Sequence, residues 1–469
     1  MSDDLCQMSA IALLAAYADG SLSPVEVTQA VLEQINRHND TFNAFCLVDQ
    51  EGALAAAKAS EQRWRNGAPE GRIDGVPASV KDLVLAKDWP TGRGSRTSDP
   101  SQLSPEDAPA VQRLREHGAI ILGKTTTPEY GWKGVTDSPL TGITRNPWNK
   151  DHTPGGSSGG AAVAALTGMG PLHIGTDGGG SVRIPASFSG IFGFKANFGR
   201  VPVYPASPFG TLSHLGPMTR SVADGALMLT VLAGPDPRDA YALPDEARDY
   251  GAVLEGGIAG LRVAYSPDLG YATVDPEVAK LVAAAAQSFE ALGAEVEQVD
   301  PGFENPQAIF RSHWYAGAAH ILRAMSAAQR ELIDPGLRIV ADKGEAITMD
   351  AYMKGTMARS QLAVTMRKFH QTYDLLLTPT MPLPAFSLGS DSPIGTNGEV
   401  WDDWSPFTYP FNLTGQPAAT VPCGFTSGGL PVGLQVVGRN YDEVNVLRAA
   451  HAFEMAHPEH RKTPELATA

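Results

Sequence analysis

Apolar residues recur along this chain with two periods, and the two alternate. Ser23-Pro24-Val25-Glu26 carries a capping box with proline at the first helical position. Val27, Val31 and Ile35 then fall four apart, one stripe of an amphipathic helix. The segment VPASVKDLVLA (76–86) is rich in β-branched residues and reads as a strand carrying Lys81 inside it. APAVQRLREHG (108–118) reads as a helix stopped by glycine, and AIILG (119–123) as a buried strand. The same alternation returns in the second half. LRVAYS (261–266) is a strand, Asp275-Pro276 opens a helix running to Leu292, and AEVEQV (294–299) is the next strand. YDLLLTPT (373–380) and GLQVVG (433–438) are further buried strands. Strand and helix in alternation predict a layered α/β sheet with helices on its faces. A polar, proline-bearing stretch (233–251) separates two αβ blocks, but both can share one sheet, so one domain with an insertion is expected.

Composition narrows the class. With 43% hydrophobic residues over 469 positions, there is ample material for a large core. A net charge of −15, spread along the chain, disfavours a nucleic-acid surface, which needs clustered Lys and Arg. Cys6, Cys46 and Cys423 lie far apart without CxxC spacing, which suits a reducing compartment rather than a disulfide scaffold or zinc site. The N-terminus opens acidic without a basic n-region, and no apolar run is long enough to span a membrane. A cytoplasmic enzyme with no integral membrane segment is the expectation.

The stretch from Gly155 to Gly180 holds ten glycines in 26 positions. A flexible linker is a poor reading, because AAVAAL (161–166) inside the stretch is apolar and PLHIG (171–175) reads as a strand. Phosphate binding fails as well, since the stretch has no lysine for a Walker motif and no GxGxxG. Gly155-Gly156-Ser157-Ser158-Gly159 satisfies GxSxG, but a nucleophile elbow needs a strand in front, and RNPWNKDHTP (145–154) reads as loop. The strand instead precedes Gly178-Gly179-Gly180-Ser181. Three glycines there leave backbone N–H groups uncovered beside a serine hydroxyl, the material of an oxyanion hole next to a nucleophile. That serine needs a base. His152 and His173 lie nearby without an acidic partner in sequence, and the other histidines lack zinc-binding spacing. Lys81 is the alternative. Its ordinary role would be a strand-edge lysine paired with Asp82, but a lysine facing inward loses its charge to burial and becomes a neutral base.

SVKDL, TPGGSSGGAAVAAL, GTDGGGSVRIPASFSGIFGFK and GPMTRSVAD (216–224) together resemble the amidase signature family of serine hydrolases. TPEYGWKG (127–134), NPWN (146–149), PFNLTGQPAATVP (410–422) and GLPVGLQVVG (429–438) extend the likeness over nearly the whole chain. The resemblance implies a single large α/β/α layered domain, a mixed central sheet flanked by helices. N-terminal helices would occupy 1–70, the signature core 71–230, a variable substrate-pocket region 231–420, and a final sheet and helix 421–469. It implies a Ser–cisSer–Lys triad with Ser181 as nucleophile, Ser157 as bridging serine in a cis peptide and Lys81 as base. Oxyanion donors would be the backbone of Gly178, Gly179, Gly180 and Ser181, with Asp177, Arg183 and Ser158 in support. The implied reaction is hydrolysis of carboxylic amides (aryl or aliphatic amides, anilides, carbamates or cyclic amides) through an acyl-enzyme, with no metal or organic cofactor. The partner is a small-molecule amide, and a homodimer is admissible. The glutaminase component of a glutamyl-tRNA amidotransferase complex is the main alternative, an inactive scaffold the other. Ile184 after the SxR motif, and TLSHLGP (211–217) without an acidic and amide pair, favour a free-standing amidase. Aromatic-bearing segments 144–148, 130–132, 313–320 and 401–411 are candidates for the pocket wall.

Overall fold

A computed structural model describes residues 2–393 and 401–466, so 394–400, inside the expected pocket region, lie outside the described residues. The helix Pro24–Phe42 forms where the capping box places it. Ser23 Oγ accepts the Val25 N–H at 3.0 Å, and Glu26 accepts the Ser23 N–H at 2.9 Å. Val27, Val31 and Ile35 are buried along its inner face.

Thirteen strands are described: β1 (Phe45–Val48), β2 (Pro77–Lys81), β3 (Ile120–Thr125), β4 (Asp137–Ser138), β5 (Gly142–Ile143), β6 (Leu172–Asp177), β7 (Phe192–Lys195), β8 (His214–Thr219), β9 (Arg262–Tyr265), β10 (Glu295–Gln298), β11 (Leu375–Pro379), β12 (Ala418–Phe425) and β13 (Pro431–Gly438). Apart from the β4–β5 hairpin they form one 11-stranded sheet, ordered β1-β3-β2-β6-β8-β7-β12-β13-β11-β9-β10. It is mixed: β3-β2-β6 and β11-β9-β10 run parallel, and the strands between them pair antiparallel. β2, β3, β7, β8, β11 and β13 are buried at every position, the mark of a sheet covered on both faces.

Helices Val222–Leu232, Pro276–Ala291 and Glu443–Ala456 contribute Leu229, Val282, Phe289 and Phe453 to the largest apolar core. A second core is aromatic, with Trp132, Phe188, Phe310, Trp314, Trp401 and Trp404 among its members.

Two expectations change and one holds. The strand read over 76–86 ends at Lys81, because the N–H groups of Leu83 and Val84 turn back onto the Lys81 carbonyl at 2.8 and 3.0 Å. The N-terminal region is not helical throughout, since β1 lies in it and pairs with β3. The polar stretch 233–251 divides nothing, as expected of one domain with an insertion: β8 before it and β9 after it belong to the same sheet.

Candidate active site

β2 and β6 are parallel neighbours, with Val80 opposite Ile174. Their C-terminal ends therefore open at one edge of the sheet, where α/β proteins place their ligands. Lys81 ends β2 and is fully buried. It does not pair with Asp82, which sits 3.3 Å from the ammonium of another buried lysine, Lys124. Instead Lys81 Nζ lies 2.7 Å from Ser157 Oγ, 2.9 Å from Ser158 Oγ and 2.9 Å from Thr176 Oγ1. Burial presses its pKa well below the ordinary lysine value, with the Asp177 charge acting the other way. Ser158 commits its own hydroxyl hydrogen to the Thr176 carbonyl at 3.1 Å.

The Ser157 loop has no strand before it, and the helix Gly159–Leu166 follows. The Gly156–Ser157 peptide is cis. Gly156 is required by close approach, because a Cβ there would lie 2.5 Å from the Val135 carbonyl oxygen. The loop is tied to the Gly178–Ser181 segment by the Ser158 N–H, which donates to Ser181 O at 3.2 Å.

β6 runs out into that second segment. The Asp177 carboxylate accepts the Gly180 N–H at 2.8 Å, the Val182 N–H at 3.2 Å and an Asn412 amide hydrogen at 2.8 Å. Arg183 forks onto it with two bonds of 2.9 Å, and reaches Thr408 O at 2.9 Å and Gln435 Oε1 at 2.7 Å. Burial alone would raise the Asp177 pKa, but the Arg183 guanidinium holds it below the usual carboxylate range. One expectation fails here. The Gly180 N–H is consumed by Asp177 and points away from donor duty, whereas those of Gly178, Gly179 and Ser181 have no acceptor among the described residues.

The aromatic core presses on the same glycines. A Cβ on Gly178 would lie 2.8 Å from the Trp314 ring, and one on Gly179 2.7 Å from Trp401 and 2.8 Å from Phe310.

Ser157 and Ser181 face one cavity of about 280 Å³. Its wall is mainly Leu83, Tyr130, Phe209, Leu215 and Trp314, with Phe209 stacked on Trp314 at 3.8 Å. Tyr130 and Trp314 thus come from segments the sequence singled out. Trp148 instead packs edge-on against Phe425, and Trp132, Trp401 and Trp404 are buried behind the wall. His173 is a packed residue held between Ser79 Oγ (2.7 Å) and Gly170 O (2.8 Å), with its pKa pressed by burial to about 3. Sequence reasoning missed Thr176 and the lining loop Val203–Phe209. Only the position of Thr176, immediately before Asp177, hinted at its place; the loop carries no chemical motif.

The Amidase family model matches residues 26–447. The chain belongs to this family, the amidase signature enzymes, and is an amidohydrolase. It is 37% identical over 464 residues to an acylamidase of Rhodococcus erythropolis, covering 97% of each chain. It is 36% identical to the A component of the glutamyl-tRNA(Gln) amidotransferase of Myxococcus xanthus, covering 98% of this chain and 100% of that one. Among solved structures it superposes on a bacterial aryl acylamidase of the amidase signature family with a TM-score of 0.91, at 30% identity, over 97% of this chain and 98% of that one. A 6-aminohexanoate cyclic dimer hydrolase matches with a TM-score of 0.89, at 28% identity, over 98% and 99%. No helix among the described residues is long and apolar enough to cross a membrane.

Proposed function

We propose that this amidohydrolase is a free-standing amidase that cleaves aryl or aliphatic carboxylic amides through an acyl-enzyme on Ser181. The observation that carries this reading is a fully buried Lys81 within 2.9 Å of three hydroxyls, beside a cavity lined by both Ser157 and Ser181.

A neutral amine has two N–H bonds and one lone pair. Ser158 has already given its hydrogen to Thr176 O, so toward Lys81 it only accepts. The lone pair is then left to Ser157, the nearest of the three at 2.7 Å, or to Thr176. With Ser157 donating to Lys81, the Ser157 oxygen is free to take the Ser181 proton. Ser181 Oγ bonds to the amide carbon, its proton passes to Ser157, and the Ser157 proton passes to Lys81. The carbonyl oxygen becomes an oxyanion facing the N–H groups of Gly178, Gly179 and Ser181. As the C–N bond breaks, protonated Lys81 returns a proton through Ser157 to the leaving nitrogen. An amine is a poor leaving group, so this delivery is the demanding step. Water then attacks the ester, its proton following the same route, and releases the acid.

The apolar wall suits aryl or medium-length acyl and amine groups, in keeping with the aryl acylamidase it resembles. The relative from Myxococcus xanthus supports a second reading, a glutaminase working within a larger complex. One experiment separates them: labelling with a fluorophosphonate and peptide mapping, for wild type and Ser181→Ala, beside turnover of anilides and of glutamine. A single adduct on Ser181 with anilide turnover is expected. An adduct on Ser157 or Ser158 overturns the assignment, and turnover of glutamine alone overturns the free-standing amidase.

A further inference from the structure

Among the described residues lining the cavity, Arg93 bears the one formal charge. Its guanidinium forms no ion pair among the described residues and donates only to Thr91 O, at 3.3 Å. Asp82, whose charge couples to it, is already beside Lys124 at 3.3 Å. A half-buried cation with no ion-pair partner among the described residues has lost hydration and recovers little of it.

The backbone sharpens the point. Arg93 has φ +53°, in the left-handed region, between Gly92 and Gly94. Glycine sits in that region freely, whereas a residue with a Cβ is strained there. The position is also rigid. The Arg93 N–H donates to Asp82 O at 3.1 Å, next to Lys81, and its carbonyl accepts the Tyr130 N–H at 2.8 Å. Tyr130, at φ +52°, is a second left-handed residue lining the cavity, and its hydroxyl lies 3.0 Å from Thr97 Oγ1. Two side chains are thus presented to the cavity from backbone that favours glycine. Such outliers point toward function.

We infer that Arg93 is a specificity residue: the enzyme's substrates are amides that carry a carboxylate, bound by the Arg93 guanidinium in a charge-assisted pair. This rests on the amidase reading and names its substrate class. A guanidinium matches a carboxylate with two parallel N–H bonds, and the apolar wall around it strengthens the pairing. The other described residues lining the cavity supply no second charge, so one carboxylate is the complement.

The test compares matched anilides within one enzyme. N-Phenylsuccinamic acid against N-phenylbutanamide places the carboxylate on the acyl side, and 4-acetamidobenzoate against acetanilide places it on the amine side. In wild type, the carboxylated member of one pair is expected to have at least a tenfold higher kcat/KM, carried mainly by KM. Arg93→Met is expected to lower that ratio at least tenfold, and Arg93→Lys to keep part of it. Because each ratio is taken inside one enzyme, a general loss of folded protein cancels. A measurement on wild type alone stands beside it: 3-phenylpropanoate should inhibit turnover of the neutral anilide competitively and at lower concentration than 3-phenylpropanol. Equal ratios in wild type and Arg93→Met, or equal inhibition by acid and alcohol, overturn the inference and leave the amidase reading intact. Failure of wild type to cleave any of the four anilides overturns both.

Discussion

Lys81 concentrates the physics of this site in one side chain. Complete burial drives its pKa well below the ordinary lysine value, so its base form grows as pH rises through that lowered value. The expected profile of kcat/KM is a single rising limb that levels off below the ~10.4 of an exposed lysine. A profile that stays flat from mildly acidic to alkaline pH contradicts a lysine base. Ser181→Ala should cost at least ~10⁴-fold in kcat with circular dichroism unchanged, in line with losses of nucleophiles elsewhere. Glu454 shows the opposite linkage, far from the cavity. Burial raises its pKa to about 7, against the pull of Arg461, so the folded chain holds a proton that the unfolded chain releases near 4.5. Stability from this group is present below pH 4.5 and is lost as pH rises through 7. Glu454→Gln should therefore melt higher than wild type at pH 8, with the gain vanishing near pH 4.5; a gain equal at both pH values rules this out.

Elements place what residues alone cannot. Lys81 meets the Gly178–Ser181 segment because β2 and β6 are parallel neighbours. The Ser157 loop is tied to that segment by the Ser158 N–H on Ser181 O, and each loop is shaped by what presses on it from outside. The glycines of 178–180 were legible in the sequence as sources of free N–H groups. The structure adds a second cause for Gly178 and Gly179, the Trp314, Trp401 and Phe310 rings packed against them, and removes Gly180 from the donors because Asp177 takes its N–H. Gly179→Ala should force those rings aside, with a stability cost of about 1–3 kcal/mol from overpacking and a larger loss of kcat than of substrate affinity. Unchanged melting and kinetics would mean that the aromatic wall yields without disturbing the loop. Local pattern marked Lys81 and Ser181, a lysine set inside a strand and a serine after three glycines at a strand end, and the family resemblance added Ser157. Thr176 and the Val203–Phe209 lining escaped because nothing local marks a residue whose role comes from a neighbouring strand.

For the whole molecule, Arg183 joins distant parts of the chain. It binds Asp177 at the end of β6, Thr408 and Asn412 before β12, and Gln435 in β13, all of them buried. Arg183→Met leaves the Asp177 carboxylate buried without its charge partner, a change that typically costs ~3–5 kcal/mol. Activity and the thermal midpoint should fall together, and a variant that melts like wild type would show that the pair is not what holds the loop. The same continuity predicts one cooperative loss of tertiary signal and activity on heating. Two separable transitions divided near 233–251 would contradict a single sheet.

The sequence by itself determined the alternation of strand and helix, the glycine and serine chemistry and the lysine set into a strand, because these depend on neighbours within a few residues. It also determined the family, since those patterns lie in a fixed order along the chain. Only the tertiary structure decided that Lys81 meets three hydroxyls rather than Asp82, and that Arg93 stands in the cavity without an ion-pair partner among the described residues. Those outcomes depend on which strands become neighbours and on what burial removes from water. Contacts made across tens to hundreds of positions leave no local periodicity to read.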